Sequence, residues 1–423
     1  MINRPKGTKD VVPNEVYKWQ KIEEVAKNVL KTRGFNEIRT PVFEHTELFV
    51  RGVGEGSDIV NKEMYTFLDK GERSITLKPE GTASIVRAVI ENGLDNEAMP
   101  QKLYMLTPCF RYERPQAGRL REHHQFSIEA FGSSSPAMEL EIIGVVKSIL
   151  DKLCFDNYVL NINSIGCKEC RKNYIEVLKK YYSKNIQDMC EDCKVRFEKN
   201  ALRLLDCKEQ RCSSFKANAP KPRDYLCEDC KNHYRTLKEL LEVSGIKYKE
   251  NDNLVRGIDY YSRTVFEFLT NENGALGTIC GGGRYDGLVE ELGGKQLPSV
   301  GVGIGLERLL SLLEKNGINV GEKDLVDLYI ANASEQEYLL TVSLAQKLRG
   351  LGVSVEFDTM NRSLKAQMKY ANKLGARKVI IIGEEEKRTR QAKMKDMSSS
   401  TEKIVYFESP EDVANLAELI KLI

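Results

Sequence analysis

The sequence predicts a mixed α+β body built on a mostly antiparallel sheet, interrupted by a helical, cysteine-rich insertion and followed by a smaller α/β domain. Three observations carry this. Strand pairs joined by turn signals lie on both sides of the middle of the chain. Eight of the eleven cysteines fall between Cys167 and Cys230. Beyond residue 325, short apolar strands alternate with amphipathic helices, the grammar of an α/β domain with a largely parallel sheet. The expected division is 1–163 and 248–322 for the two parts of the main body, 164–247 for the insertion and 323–423 for the last domain.

Bulk properties bound the answer. At 423 residues the chain exceeds a single core. With 41% hydrophobic and 30% charged residues it has the composition of an ordinary folded protein. Its formal net charge of +2 gives no general case for nucleic acid, so any such case must come from local patches. The start, MINRPKGTKD, lacks an apolar core of the export type, and no apolar run approaches the roughly 18 residues of a membrane span. A cytoplasmic protein without a membrane partner is expected, and its cysteines are expected as thiols or metal ligands rather than disulfides.

In order, residues 15–33 place Val16, Trp19, Ile22, Val25, Ala26, Val29 and Leu30 on one helical stripe that ends at Gly34. FNEIRTPVFEHTELF reads as an extended piece broken at Pro41, and 82–92 as a helix. Strands are expected at 103–113 and 121–131, joined by the hairpin loop RPQAGRL. In the return strand, Arg121, His123, Gln125, Ser127 and Glu129 share one face, and an open solvated sheet face is one explanation. A helix follows at 136–153, and strands return at 264–270 and 275–280 around Asn-Glu-Asn-Gly. CGGGRYDGL then allows either a close backbone approach to a ligand or a tight turn. GVGIGLERLLSLLE reads as strand, turn and helix, with Arg308 in the first turns. The last domain is expected to have strands at 327–331, 353–357, 378–382 and 404–407, with helices at 335–350 and 363–374.

Chemistry enters through Leu254–Phe268, LVRGIDYYSRTVFEF. Arg256, Asp259, Tyr260 and Tyr261 sit in an apolar, β-leaning run, where each would lose its water shell without a polar partner. That demands a satisfied internal network or a pocket for a polar ligand. The predicted inner faces collect Arg111, Glu113, Arg121, His123, Glu129, Arg256, Tyr261 and Arg308. Arginine forks bind phosphate oxygens two at a time, so several in one pocket suit a triphosphate undergoing transfer. There is no G-x-x-x-x-G-K-[ST] loop, and GVGIGLE lacks the βαβ context of a dinucleotide site.

These segments together resemble the histidyl-tRNA synthetase family of class II aminoacyl-tRNA synthetases. RTPVFEHTELF is similar to its motif 1, CFRYERPQAGRLREHHQFSIEAFG to motif 2, and GVGIGLERLL to motif 3. LVRGIDYYSRTVFEF and GGGRYDGLVEELGG are similar to its two histidine-specific blocks. The resemblance runs through nearly the whole chain in order. It implies a class II synthetase-like catalytic sheet, a C-terminal anticodon-binding domain, a homodimer formed around motif 1 at Pro41, and tRNA(His), L-histidine and ATP as partners, with Mg2+ as cofactor.

Residue roles follow from the resemblance. Arg111 would clamp the α-phosphate of ATP and Arg308 the γ-phosphate, with Glu113 on the adenine amino group and Arg121 and His123 also in the ATP site. Glu80, Thr82 and Gln125 would hold the α-amino group, and a cationic amine calls for a carboxylate such as Glu80. Glu129 and Tyr261 would bracket the imidazole, Tyr260 and Tyr285 would line the pocket, and Arg256 would sit beside the carboxylate and α-phosphate. Arg111, Arg256 and Arg308 are thus the expected catalytic residues. His123 departs from the family, which usually has an adenine-stacking phenylalanine there. Its imidazole predicts ATP binding that weakens as pH falls through about 6.5.

The cysteines fall as Cys167/Cys170, Cys190/Cys193, Cys207/Cys212 and Cys227/Cys230. Three C-x-x-C pairs suit structural Zn2+, buried thiol pairs being the alternative; no active-site metal ligand is assigned. Between Lys194 and Arg223, nine basic and three acidic residues suggest either a cradle for the tRNA acceptor arm or a solvated face. Lys365, Lys369 and Lys373 repeat every fourth residue, and the resemblance implies contact with the anticodon stem. Competing readings are a non-catalytic regulatory relative in histidine biosynthesis, a synthetase for another amino acid, and a nucleic-acid-binding module without catalysis.

Overall fold

The computed structural model describes residues 2–422 apart from residues 55, 208 and 273. The chain forms two compact units, Met1–Glu322 and Lys323–Ile423.

In the first unit an eight-stranded sheet runs, among the described residues, in the order Asn36–Glu37, Gln101–Phe110, Glu122–Phe131, Ser299–Gly305, Thr278–Arg284, Ser262–Leu269, Val159–Ser164, Lys249–Glu250. The short edge strands pair in parallel and every internal pairing is antiparallel. The sheet is therefore mostly antiparallel, as expected. Strands distant in sequence become neighbours here: Ser299–Gly305 lies directly between Glu122–Phe131 and Thr278–Arg284.

One sheet face is a conventional core. Phe126, Ile128 and Ala130 alternate inward with Val300, Val302 and Ile304. They pack under Trp19, Ile22, Ala26, Val29 and Leu30 of helix Pro13–Thr32, under helix Pro136–Lys152 and under helix Leu306–Lys315. Behind this core, Arg284 and Glu139 form a fully buried ion pair, with His233 Nε2 2.5 Å from Glu139 Oε1. Burial alone would raise the Glu139 pKa, but His233 and Arg284 hold it down at about 2.

Several local readings change. The extended piece after Phe35 becomes two short strands, Asn36–Glu37 and Phe43–His45, and then helix Thr46–Val53. Phe49 and Val53, one helical turn apart, bury against Ile59 and Ala83 and thereby favour the helix. The strand before the hairpin loop stops at Phe110, so Arg111 and Glu113 belong to the loop. The three glycines of CGGGRYDGL lie inside strand Thr278–Arg284 rather than in a turn, and Ser299–Gly305 runs straight into helix Leu306–Lys315 without one.

The insertion is helical, with helices Lys168–Tyr182, Glu191–Lys199, Gln210–Ala217 and Glu228–Val243. Much of its positive charge closes on neighbours. Arg203 lies 2.7 Å from Asp58, Arg223 2.6 Å from Asp252, Lys221 3.4 Å from Asp252 and Lys194 2.9 Å from Glu191.

The second unit has strand order Val355–Phe357, Leu328–Asn332, Lys378–Ile382, Gln391–Asp396, Glu402–Tyr406, with the first three parallel and the last two antiparallel. The expected largely parallel sheet is thus mixed. Strand Gln391–Asp396 escaped the sequence reading because only Ala392 and Met394 in QAKMKD face the core. Helix Leu364–Leu374 packs on one face, and helices Tyr338–Gly350 and Pro410–Lys421 on the other.

Candidate active site

On the second face of the large sheet Leu103, Met105, Phe131 and Val265 pack with Ile85, Val86 and Val89 of helix Thr82–Glu91, and glycines lie between. Gly301 and Gly303 pair across with Gly283 and Gly281, which leaves a floor without side chains between two strands. The polar set of Glu122–Phe131 leans over this floor. A Cβ at Gly301 would overlap Oε2 of Glu129, and one at Gly303 would stand 2.9 Å from Nε2 of Gln125. The solvated sheet face allowed by the sequence is therefore wrong for its inner half: Ser127 and Glu129 are buried.

A cleft opens above the floor, lined by Arg111, Glu113, His123 and Arg308 together with Glu80, Thr82, Gln125, Arg256, Tyr260 and Tyr261. Arginines from three distant segments meet here, and backbone carbonyls aim two of them. Arg111 Nε donates to Pro79 O at 2.8 Å, and Arg308 Nη1 donates to Thr278 O at 2.9 Å. Burial, reinforced by Arg119 and Arg111, lowers the Arg308 pKa. Such crowded like charges favour an anionic ligand. Arg256 pairs with Glu267, and its buried Nε has no protein acceptor among the described residues. A Cβ at Gly281 would overlap the Arg256 guanidinium, so the glycine run serves close approach.

Glu80 caps helix Thr82–Glu91 by accepting from the backbone N–H groups of Thr82 at 2.7 Å and Ala83 at 2.8 Å. Its burial raises its pKa. Glu129 accepts from Thr82 Oγ1 at 2.7 Å and from the Tyr285 hydroxyl at 2.6 Å. Burial pushes the Glu129 carboxyl up to about 8, against those hydrogen bonds, with Glu80 adding to the rise. The Tyr260 ring packs 4.7 Å from Tyr261 and 5.4 Å from Tyr285.

Thirteen residues were expected at this site, and the structure gathers ten of them on the cleft wall. The other three lie elsewhere. Glu129 and Tyr285 sit beneath the wall, bonded to each other, so Glu129 underlies Thr82 rather than standing open beside Tyr261. Arg121 stacks 3.8 Å from the Tyr112 ring centroid and donates to Glu113 O at 3.3 Å; it braces the loop instead of facing the cleft. Desolvation first, then Arg111 and Arg308, depress the His123 pKa to about 3, which runs against the near-neutral titration expected from the sequence.

The sequence reading missed Arg119 and Glu307 on the cleft wall. Arg119 pairs with Glu113 at 2.7 Å, and Glu307 accepts from the His124 N–H at 2.9 Å. A cation in the hairpin loop and an acid beside Arg308 were the available signals. The polar residues of 254–268 divide between the two readings offered for them. Asp259 is satisfied internally by Asn200, whereas Arg256, Tyr260 and Tyr261 face the cleft.

Comparison with known proteins agrees with this architecture. Residues 7–309 match the family described as histidyl-tRNA synthetase, and residues 314–418 match the anticodon binding domain. The histidine--tRNA ligase of Thermoanaerobacter pseudethanolicus is 56% identical over 94% of this chain and 95% of its own length. That of Clostridium botulinum (strain Langeland) is 49% identical over 100% of this chain and 99% of its own. The crystal structure of apo S. aureus histidyl-tRNA synthetase superposes with a TM-score of 0.84 at 36% identity, covering 100% of both chains. With a class II catalytic sheet, a glycine-floored cleft holding three converging arginines and a matching C-terminal domain, the chain belongs to the histidyl-tRNA synthetase family.

Proposed function

We propose that the protein ligates L-histidine to tRNA(His) at the expense of ATP. The observation that carries this is the meeting of Arg111, Arg256 and Arg308 in one cleft that continues to Thr82, Gln125 and Tyr261. In the first step a histidine carboxylate oxygen attacks the α-phosphorus, and the bond to diphosphate breaks. In the second, the terminal ribose hydroxyl of the tRNA attacks the acyl carbon, and AMP leaves. Neither step needs a protein nucleophile; alignment and charge stabilisation suffice.

In this reading Arg111 takes the α-phosphate and Arg308 the γ-phosphate. Arg256, with its free Nε, takes the oxygens between the amino acid and the α-phosphate. Glu113 meets adenine, and neutral His123 stacks on it. Glu80 and Gln125 receive the α-amino group, and Thr82 and Tyr261 present the imidazole end with Glu129 behind them. Glu113 and Glu307 line the cleft but already pair with Arg119 and His124. Mg2+ would therefore be carried mainly by the phosphates and water, as this ion commonly is, and would neutralise triphosphate charge.

The domain reading is 164–247 as insertion and 323–423 as anticodon-binding domain. Exposed Lys365, Lys369 and Lys373 on helix Leu364–Leu374 support contact with a polyanion there. Exposed Phe43 and Phe67, which line one surface hollow close in sequence to Pro41, support a homodimer. No helix among the described residues is long and apolar enough to cross a membrane. The regulatory reading is disfavoured by the retained arginines and by the anticodon-domain match.

The test is ATP–pyrophosphate exchange with every proteinogenic amino acid in turn. Exchange with histidine alone is expected; exchange with another amino acid, or with none, overturns the reading.

A further inference from the structure

The eight cysteines of the insertion do not pair along the sequence. Their sulfurs form two groups of four, Cys167, Cys170, Cys227 and Cys230 in one and Cys190, Cys193, Cys207 and Cys212 in the other, with all sulfurs of a group within 4.8 Å of one another. We propose that each group holds one structural zinc ion, the second site nested in sequence inside the first.

Three features support metal ligation over buried thiol pairs. The first is spacing. Zinc–sulfur bonds of about 2.3 Å in a tetrahedron set sulfurs about 3.8 Å apart. Here Cys167 Sγ lies 3.6 Å from Cys170 Sγ, and Cys190 Sγ lies 3.7 Å from Cys207 Sγ. Disulfide bonds are near 2.05 Å, and an iron–sulfur cluster would hold its ligands farther apart.

The second feature is charge compensation, since four thiolates around one divalent ion leave negative charge to stabilise. Cys167, Cys190 and Cys227 each immediately precede a helix, and Cys170, Cys193 and Cys230 follow in the first turn, where the helix end is electropositive. Backbone N–H groups point at the sulfurs across the groups. Cys167 N donates to Cys230 Sγ at 3.3 Å, Cys227 N to Cys170 Sγ at 3.0 Å, and Cys190 N to Cys212 Sγ at 3.4 Å. The outer group has these bonds reciprocally, across 63 and 57 residues of sequence.

The third feature is need. Helices Glu191–Lys199 and Gln210–Ala217 have nine and eight residues, too short to persist alone. A metal would supply what their small core lacks.

The two sites would also brace the amino-acid pocket. Arg171, next to Cys170, donates to the carbonyls of Asp259 at 3.1 Å and Tyr261 at 2.6 Å. Asn200 and Arg203, between the inner cysteine pairs, hold Asp259 and Asp58. The inner group also borders a second cavity, lined by Cys190 and Cys207 together with Arg111 and Arg119.

The experiment is elemental analysis of the reduced full-length chain purified without chelators, together with reconstitution by Co2+. About two zinc ions per chain are expected, and about one each in C190S/C193S and in C227S/C230S. Cobalt should give thiolate charge-transfer and tetrahedral ligand-field absorption. A zinc content near one or below in the unmodified chain, iron in place of zinc, absent cobalt bands, or double variants that keep both ions would each overturn the proposal. If the variants do not fold, the metal content and cobalt spectrum of the unmodified chain decide. These readouts are independent of ligase activity, so failure here leaves the proposed reaction standing.

Discussion

Gly301 and Glu129 are register partners across two antiparallel strands, and the glycine leaves the space that the Glu129 carboxylate fills. The carboxylate is 1% exposed and bonded on both oxygens, to Thr82 and Tyr285. An absent side chain on one strand thus sets the position of three polar residues contributed by other segments.

Gly301→Ala should therefore be costly although it adds one methyl group. Overpacking of this kind costs about 1–3 kcal/mol. Displacement of Glu129 should also raise the KM for histidine more than that for ATP. Urea unfolding and pyrophosphate exchange on the variant would check this; an alanine tolerated on both counts would contradict the packing account.

The Glu129 carboxyl, held up at about 8, gives a pH dependence of definite sign. Unfolded glutamate ionises near about 4.3. Above that value the native state retains a proton that the unfolded state has lost, so this residue's contribution to stability falls as pH rises toward about 8. Glu129→Gln should flatten this stability profile between about pH 5 and about pH 8. The same slope in variant and parent would refute the assignment.

His123, depressed to about 3, stays neutral throughout the working range. The KM for ATP should then be flat between about pH 5.5 and about pH 8, where an ordinary histidine would titrate. His123→Phe should leave the shape of that profile unchanged. A KM that climbs below about pH 6.5 in the parent and not in the variant would restore the simpler sequence-based expectation.

Glu139, Arg284 and His233 form a second coupled set behind the sheet. Removing one member of a buried pair leaves an uncompensated charge and costs about 3–5 kcal/mol. Arg284→Met should show a loss of that order in denaturant unfolding. The Glu139 carboxyl is held down at about 2, so its stabilisation is complete above about pH 4.3 and is lost as pH falls through about 2. Glu139→Gln should remove that acid-side slope.

Much of this architecture was legible in one dimension because its signals are local. Apolar period and punctuation located helix Pro13–Thr32, the long hairpin and the α/β alternation after Glu322. The misread segments are those where tertiary contacts overrode local preference. Thr46–Val53 coils because Phe49 and Val53 find Ile59 and Ala83. Gln391–Asp396 extends because its neighbours in the sheet complete its hydrogen bonds.

The sequence by itself determined which chemistry was available: arginines for phosphate, paired tyrosines and carboxylates for a polar ligand, and thiols in C-x-x-C spacing. Residue type and short-range spacing suffice for that. Only the tertiary structure decided which of these groups meet and how they ionise. It set Glu129 beneath the cleft, turned Arg121 away onto Tyr112, and pushed the pKa of His123 down. It also joined Cys167 and Cys170 to Cys227 and Cys230 across the whole insertion. Desolvation and through-space charge depend on neighbours that strand register and helix packing bring together, and no linear spacing encodes them.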